Sequence, residues 1–138
     1  MRICISCKKH LSTRHQIKFC SNKCQSGYRL RTFVDQWKKG QVSGDVGINT
    51  KILSGYLRRY LFDKYNDSCS KCGWSKKNKF SNRIALEIDH IDGNADNNSE
   101  KNLRLLCPNC HSLTPYFKNL NKGNGREWRR RILREKNN

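Results

Sequence analysis

The chain has 138 residues, and only 35% of them are hydrophobic, so a large apolar core is excluded. Lys and Arg number 29 against 11 Asp and Glu, a formal charge of +18, which favours a polyanionic partner over a small-molecule substrate. Nothing approaches the roughly 18 apolar residues of a membrane span.

The length fits one domain, or one with a small appendage. Its start, Met-Arg-Ile-Cys-Ile-Ser-Cys, has no apolar signal core, so the expected location is cytoplasmic. In a reducing cytosol, eight cysteines in paired spacing point to metal and not to disulfides. The acids are unevenly placed. None occurs in residues 1–34, whereas Glu87, Asp89, Asp92, Asp96 and Glu100 crowd into 87–100. That clustering suggests a local task such as holding a divalent cation.

Residues 1–27 read as a zinc-knuckle module. Cys4 and Cys7 are followed by Cys20 and Cys24, and four thiolates at this spacing suit tetrahedral zinc. His10 and His15 lie between the pairs as alternative ligands. Such a site is closed and redox-inert, hence structural.

Residues 28–68 read as two helices with a Gly-rich hinge at 41–47. Ser26 is the expected cap of the first helix, with an apolar stripe of Leu30, Phe33, Val34 and Trp37 and a stop at Gly40. The second carries a stripe from Ile48 to Tyr65, with Asn49 as its cap and Gly55 inside it, where glycine could allow close packing. Its aromatics read as core. Lys51 and Lys64 lie largely off that stripe, as do Arg58 and Arg59, which are candidate phosphate contacts.

Residues 69–121 carry the chemistry. Cys69 and Cys72 pair with Cys107 and Cys110 as a second four-cysteine zinc site. Between them, Ile84, Leu86 and Ile88 alternate with Ala85, Glu87 and Asp89, which predicts a half-buried strand. The stretch at 92–98 is a turn-rich loop, in which Asp92 suits an Asx turn. Ser99 can cap a short turn through Asn102. Leu103 and Leu105 predict a second strand ending at Cys107, and Pro108 suits the first turn of a helix limited by Pro115. On that helix Cys110 and His111 point about 100° apart, so one can face zinc and the other a separate site. Asp89 and His90 are neighbours on a strand, and share a site only if the strand ends or bends there.

The contexts EIDHIDGN, EKNLRLLC and CPNCH, with Asp89-His90, Asn102 and His111 at their spacing, resemble the HNH endonuclease family. The likeness is to its phage-type members with a ββα-metal fold and a four-cysteine zinc site. It covers roughly 69–121, and the preceding SGYLRRYLFDKY resembles the segment leading into that zinc site. The resemblance implies that His90 is the general base, that Asp89 and His111 bind one catalytic divalent ion, Mg²⁺ or Mn²⁺, and that Asn102 braces the loop presenting His90. It further implies products with 5′-phosphate and 3′-hydroxyl ends.

The tail, 122–138, is basic. Together with Lys118, it sets Lys122, Arg126, Arg129, Arg130, Arg131, Arg134 and Lys136 against Glu127 and Glu135. Trp128, Ile132 and Leu133 give a helical pattern, and Gly123 and Gly125 give a swivel. Arg126, Arg129, Arg130 and Arg131 are candidate DNA-backbone contacts.

The expectation is therefore a small α+β, zinc-stabilised protein. A ββα-metal core follows two helices and an N-terminal zinc-knuckle module. The expected activity is metal-dependent cleavage of double-stranded DNA by a monomer or weak dimer. The alternative is a non-catalytic zinc protein that binds DNA or RNA.

Overall fold

In a computed structural model of the chain, residues 2–47, 52–122 and 127–136 are described. Ile48, Asn49, Lys51, Gly123, Gly125 and Arg126 lie outside them. The structure is small and α+β, and it divides into two compact units, Met1–Val42 and Ser43–Asn138.

The first unit is a cysteine knuckle leading into helix α1 (Asn22–Lys38). This helix starts earlier than Ser26. Its N-cap is Ser21, whose hydroxyl accepts from the Cys24 amide at 3.2 Å. Cys24 therefore sits in the first helical turn, and the metal cluster and the helix start are built together. Trp37 is the buried residue of α1, and the chain turns away through Gly40 at φ 71°.

The second unit opens with a short antiparallel pair, β1 (Asp45–Val46) with β2 (Ile52–Leu53). Ile52 and Leu53 thus leave the predicted helical stripe. Helix α2 (Gly55–Lys64) is capped by Ser54, which accepts from the Tyr56 amide at 3.2 Å. Gly55 is the first helical residue and not an interior one. A Cβ there would meet nothing within 4 Å, so no close packing depends on it. Leu57 and Leu61, one turn apart, are fully buried. Tyr56 is exposed, whereas the Tyr60 hydroxyl reaches Glu100 and the Tyr65 hydroxyl reaches the Leu103 carbonyl. Lys64 joins Glu100 at 2.9 Å, so α2 is tied to the turn that precedes Asn102.

Strands β3 (Glu87–His90) and β4 (Leu103–Leu106) form an antiparallel pair with Asp89 opposite Arg104 and His90 opposite Leu103. β3 is shorter than the alternation of residues 84–89 suggests. The Leu86 amide donates back to the Ile84 carbonyl at 2.9 Å, a tight turn that takes Ile84 out of the ladder and into a bridge with Lys77. A 3-10 turn, Glu100–Asn102, follows Ser99, whose side chain makes no cap bond. Helix α3 (Pro108–Ser112) begins at Pro108 and stops before Pro115. Leu86, Leu105 and Leu106 pack with Cys69 and Cys107 in one core cluster, each apolar side chain contributing about 1.5–3 kcal/mol by burial. Helix α4 (Glu127–Lys136) closes the described chain. No described helix is long and apolar enough to cross a membrane.

Candidate active site and metal centres

Each set of four cysteines converges. The sulfurs of Cys4, Cys7, Cys20 and Cys24 lie within 4.8 Å of one another, as do those of Cys69, Cys72, Cys107 and Cys110. Neither His10 nor His15 belongs to the first set. Among the described residues these are the two groups of three or more such ligand atoms.

The spacings fit a tetrahedral ion. Metal–sulfur bonds of about 2.3 Å give tetrahedron edges of about 3.8 Å. Cys7–Cys20 and Cys20–Cys24 are each at 3.5 Å, and Cys72–Cys107 is at 3.7 Å. Disulfides need about 2.05 Å and are absent.

Within each cluster the thiols differ in acidity. Burial works to raise the Cys4 thiol, but amides of Cys7, Cys20 and Ser6, with the Cys7 side chain, bring it down to about 6. Hydrogen bonding to Cys24 and Cys7, with burial, pushes Cys20 up to about 12. The second cluster repeats the contrast, with Cys69 brought down to about 6 and Cys110 pushed by burial and neighbouring cysteines to about 12. Four thiolates cannot crowd together without a cation, and a divalent metal would supply that charge.

The two knuckles share one turn. The Lys8 amide donates to the Cys4 carbonyl at 2.9 Å, and the Gly73 amide to the Cys69 carbonyl at 2.8 Å. Both residues are left-handed, Lys8 at φ 64° and Gly73 at φ 73°. The first residue of each turn is then closed by a bond from Cys4 N to Lys9 O and from Cys69 N to Trp74 O. The Ser70 amide donates to the Leu105 carbonyl at 2.8 Å, which fastens the second knuckle to β4.

A separate polar cluster forms where β3 meets α3. Glu87 and Asp89 are two residues apart and so share a strand face. His111, on α3, meets both. Its Nδ1 is hydrogen-bonded to Glu87, and its Nε2 stands 3.6 Å from Asp89 Oδ1. Phe117 presses on the imidazole edge-on, with ring centroids 5.3 Å apart. Asp89 is buried, and its Oδ2 accepts from Arg104 Nε at 2.7 Å across the ladder.

His90 looks elsewhere. β3 ends at this residue, and His90 Nε2 is 2.9 Å from Oδ1 of buried Asn98. With Oδ1 accepting, Nε2 carries the proton and Nδ1 is the basic nitrogen.

Asn102 spans the loop between the strands. Its carbonyl accepts from the Ile91 amide at 2.9 Å, continuing the ladder one residue past β3. Its side-chain oxygen then accepts from the Asp92 amide at 3.0 Å, and its Nδ2 donates to Asp92 Oδ1 and the Asn97 carbonyl, both at 2.8 Å. Asp92 makes an Asx turn with the Asn94 amide at 2.8 Å and takes a further bond from Asn97. Burial works to raise its carboxyl, but the bonds from Asn97, Asn94 and Asn102, with His90 nearby, hold it below the usual aspartate value. Gly93 completes the turn at φ 73°, where a Cβ would lie 2.6 Å from the Tyr116 ring.

Asp89 and His111 can bind one ion. Adjacent ligands on an octahedral ion with bonds near 2.1 Å stand about 3.0 Å apart. The 3.6 Å separation is about 0.6 Å wider, so the two side chains would draw together on a shared ion. A carboxylate and an imidazole would admit Mg²⁺ or Mn²⁺.

Residues 69–114 match the model of the HNH endonuclease family. This part of the chain belongs to that family. The chain is 46% identical over 98 residues to the H-N-H endonuclease F-TflIV of Escherichia phage T5, an overlap of 69% of the chain and 38% of that protein. It is 25% identical over 122 residues to the Zorya protein ZorE of Escherichia coli strain Crooks, covering 83% of the chain and 32% of ZorE. The chain thus spans well under half the length of either relative. No solved structure matches.

Arg104 and Asn98 carry no role in the sequence reading, and Glu87 enters it only as one of the clustered acids suited to holding a cation. Glu87 was legible, since strand period two puts it beside Asp89. Arg104 needed the register of the ladder. Nothing in the spacing of Asn98 marks it as a partner of His90.

Of the candidate DNA contacts, Arg58 and Arg59 are exposed on α2, and Arg59 stands 4.0 Å from Asp63. Arg129, Arg130 and Arg131 fall on α4, where Arg131 is exposed.

Proposed function

We propose that the chain is a metal-dependent endonuclease that hydrolyses phosphodiester bonds of double-stranded DNA. One observation carries the reading: His111 Nε2 faces Asp89 Oδ1 at 3.6 Å, on the strand that ends at His90.

Asp89 and His111 would hold the divalent ion, Mg²⁺ or Mn²⁺. When bound, it neutralises charge on the scissile phosphate and on the leaving 3′ oxygen. Glu87 accepts from His111 Nδ1, which fixes the tautomer and leaves Nε2 free to bind. Arg104 holds one oxygen of Asp89 and leaves the other toward His111. His90 Nδ1 takes the proton of the attacking water, with Asn98 orienting the ring. Asn102 fixes the backbone just past His90. The products carry 5′-phosphate and 3′-hydroxyl ends.

The two cysteine sets hold structural zinc. Arg58, Arg59 and the arginines Arg126, Arg129, Arg130 and Arg131 grip phosphate without reading sequence. One such site cuts one strand per encounter, so a monomer or weak dimer nicks first.

Supercoiled plasmid incubated with the zinc-loaded chain tests this. Nicking is expected with added Mg²⁺ or Mn²⁺ and none without added divalent ion. A chain that binds the plasmid but cuts it in neither metal is a non-catalytic zinc DNA-binding protein, and the enzyme reading fails.

A further inference from the structure

The loop from Lys76 to Arg83 takes no part in the chemistry above, yet it is built with care. Lys77 and Ile84 close its base in an antiparallel bridge. The Asn78 amide donates to the Arg83 carbonyl at 2.8 Å, and the Asn82 amide to the Asn78 carbonyl at 2.9 Å. The Asn78 side chain accepts from the amides of Phe80 and Ser81, each at 2.9 Å. Asn82 takes the left-handed turn position at φ 53°, which asparagine tolerates. The loop is therefore ordered by its own hydrogen bonds.

At its tip stands Phe80, 99% exposed. It is the most exposed large hydrophobic among the described residues, and covering it would gain about 1.5–3 kcal/mol. Lys76, Lys77, Lys79 and Arg83 flank it in sequence, and no acid occurs between Asp67 and Glu87. The loop borders an open groove of about 630 Å³. Arg58, Lys77 and Arg83 line it against Asp67 and Glu87, and Glu87 is the residue that holds His111. An aromatic tip on a basic loop, beside a groove whose lining includes Glu87, matches a base stack flanked by phosphates.

We infer that Phe80 is a wedge that inserts between base pairs of the bound duplex while the loop's cations hold the flanking phosphates. The wedge unstacks a base step beside the phosphate that enters the groove. This rests on the DNA endonuclease reading and adds how the substrate is gripped.

The test uses the full chain with zinc bound and no added Mg²⁺ or Mn²⁺, so that binding is read without cleavage. Duplexes carrying 2-aminopurine at successive positions are titrated with wild type, F80A, F80W and K79A at several salt concentrations, and circular dichroism verifies each fold. F80A is expected to bind on the order of 10- to 100-fold more weakly, with the salt slope unchanged because no phosphate contact is lost. K79A should flatten that slope by about one unit. Wild type and F80W should raise 2-aminopurine fluorescence on binding, and F80A should not. Wild-type affinity and fluorescence response in F80A overturn the wedge and leave the nuclease reading standing. Failure of wild type to bind any duplex overturns both.

Discussion

Glu87 holds His111 by its Nδ1, from a position two residues before Asp89 on the same strand face. The imidazole is thereby suspended between two carboxylates with its Nε2 turned to Asp89. Carboxylate support of this kind fixes ring orientation and raises ligand basicity.

Removing that support should loosen the ion. E87A is expected to weaken Mn²⁺ binding about 10- to 100-fold by isothermal titration, while the fold is kept because Glu87 is exposed. E87Q, which still accepts from Nδ1 but lacks charge, should fall between. Unchanged Mn²⁺ affinity in E87A would remove Glu87 from the account.

The cysteine clusters predict two zinc ions per chain. C20S should release one while Ser43–Asn138 keeps its fold. C110S should instead unfold the region around β3 and β4, because Cys69 and Cys107 lie in the core that packs Leu105 and Leu106. Structural zinc supplies on the order of 10–16 kcal/mol in small peptides. Metal analysis beside circular dichroism decides it, and a C110S chain with native dichroism and one zinc speaks against a structural second site.

Lys8 occupies the turn position that Gly73 fills in the other knuckle, at a φ that suits glycine. K8G is therefore expected to stabilise the first unit by up to about 1 kcal/mol, after the added freedom of the unfolded chain is subtracted. Denaturant unfolding of the zinc-loaded chain measures this. A destabilised K8G would mean that the lysine side chain contributes more than its backbone strain costs.

Asp92 gives the loop a pH dependence. Its carboxyl is held below the ordinary value, so its stabilisation is complete above roughly pH 4. That stabilisation is lost as pH falls through the lowered value. Hydrogen exchange of the Asn94 amide should speed up, relative to its intrinsic rate, in that acid window. D92N should abolish the step, and the same acid step in D92N would assign it to another group.

Much of this was readable in the residues because the signals were local. Cys-x-x-Cys turns, the Leu103–Leu105 alternation and Pro108 each act within a few positions, and β4 and α3 stand where those signals put them. Helix starts were less legible. Ser21 caps α1 because the metal turn ends there, and Ser54 caps α2 because Ile52 and Leu53 pair with Asp45 and Val46 first. Both are tertiary choices between competing caps. At the site, Asp89, His90, Asn102 and His111 are marked by residue type and spacing. Arg104 is placed by cross-strand register, and Asn98 by a loop closure that no periodicity encodes.

The most direct test of the account is single-turnover cleavage by H90A. His90 is partly buried and bonds to Asn98, so truncation should leave both zinc ions, Mn²⁺ affinity and DNA affinity near wild type. The rate in saturating Mn²⁺ is predicted to fall by about 10²- to 10⁴-fold, the usual contribution of a positioned general base. An H90A chain that cuts at the wild-type rate would contradict the assignment of His90 as the group that activates the attacking water.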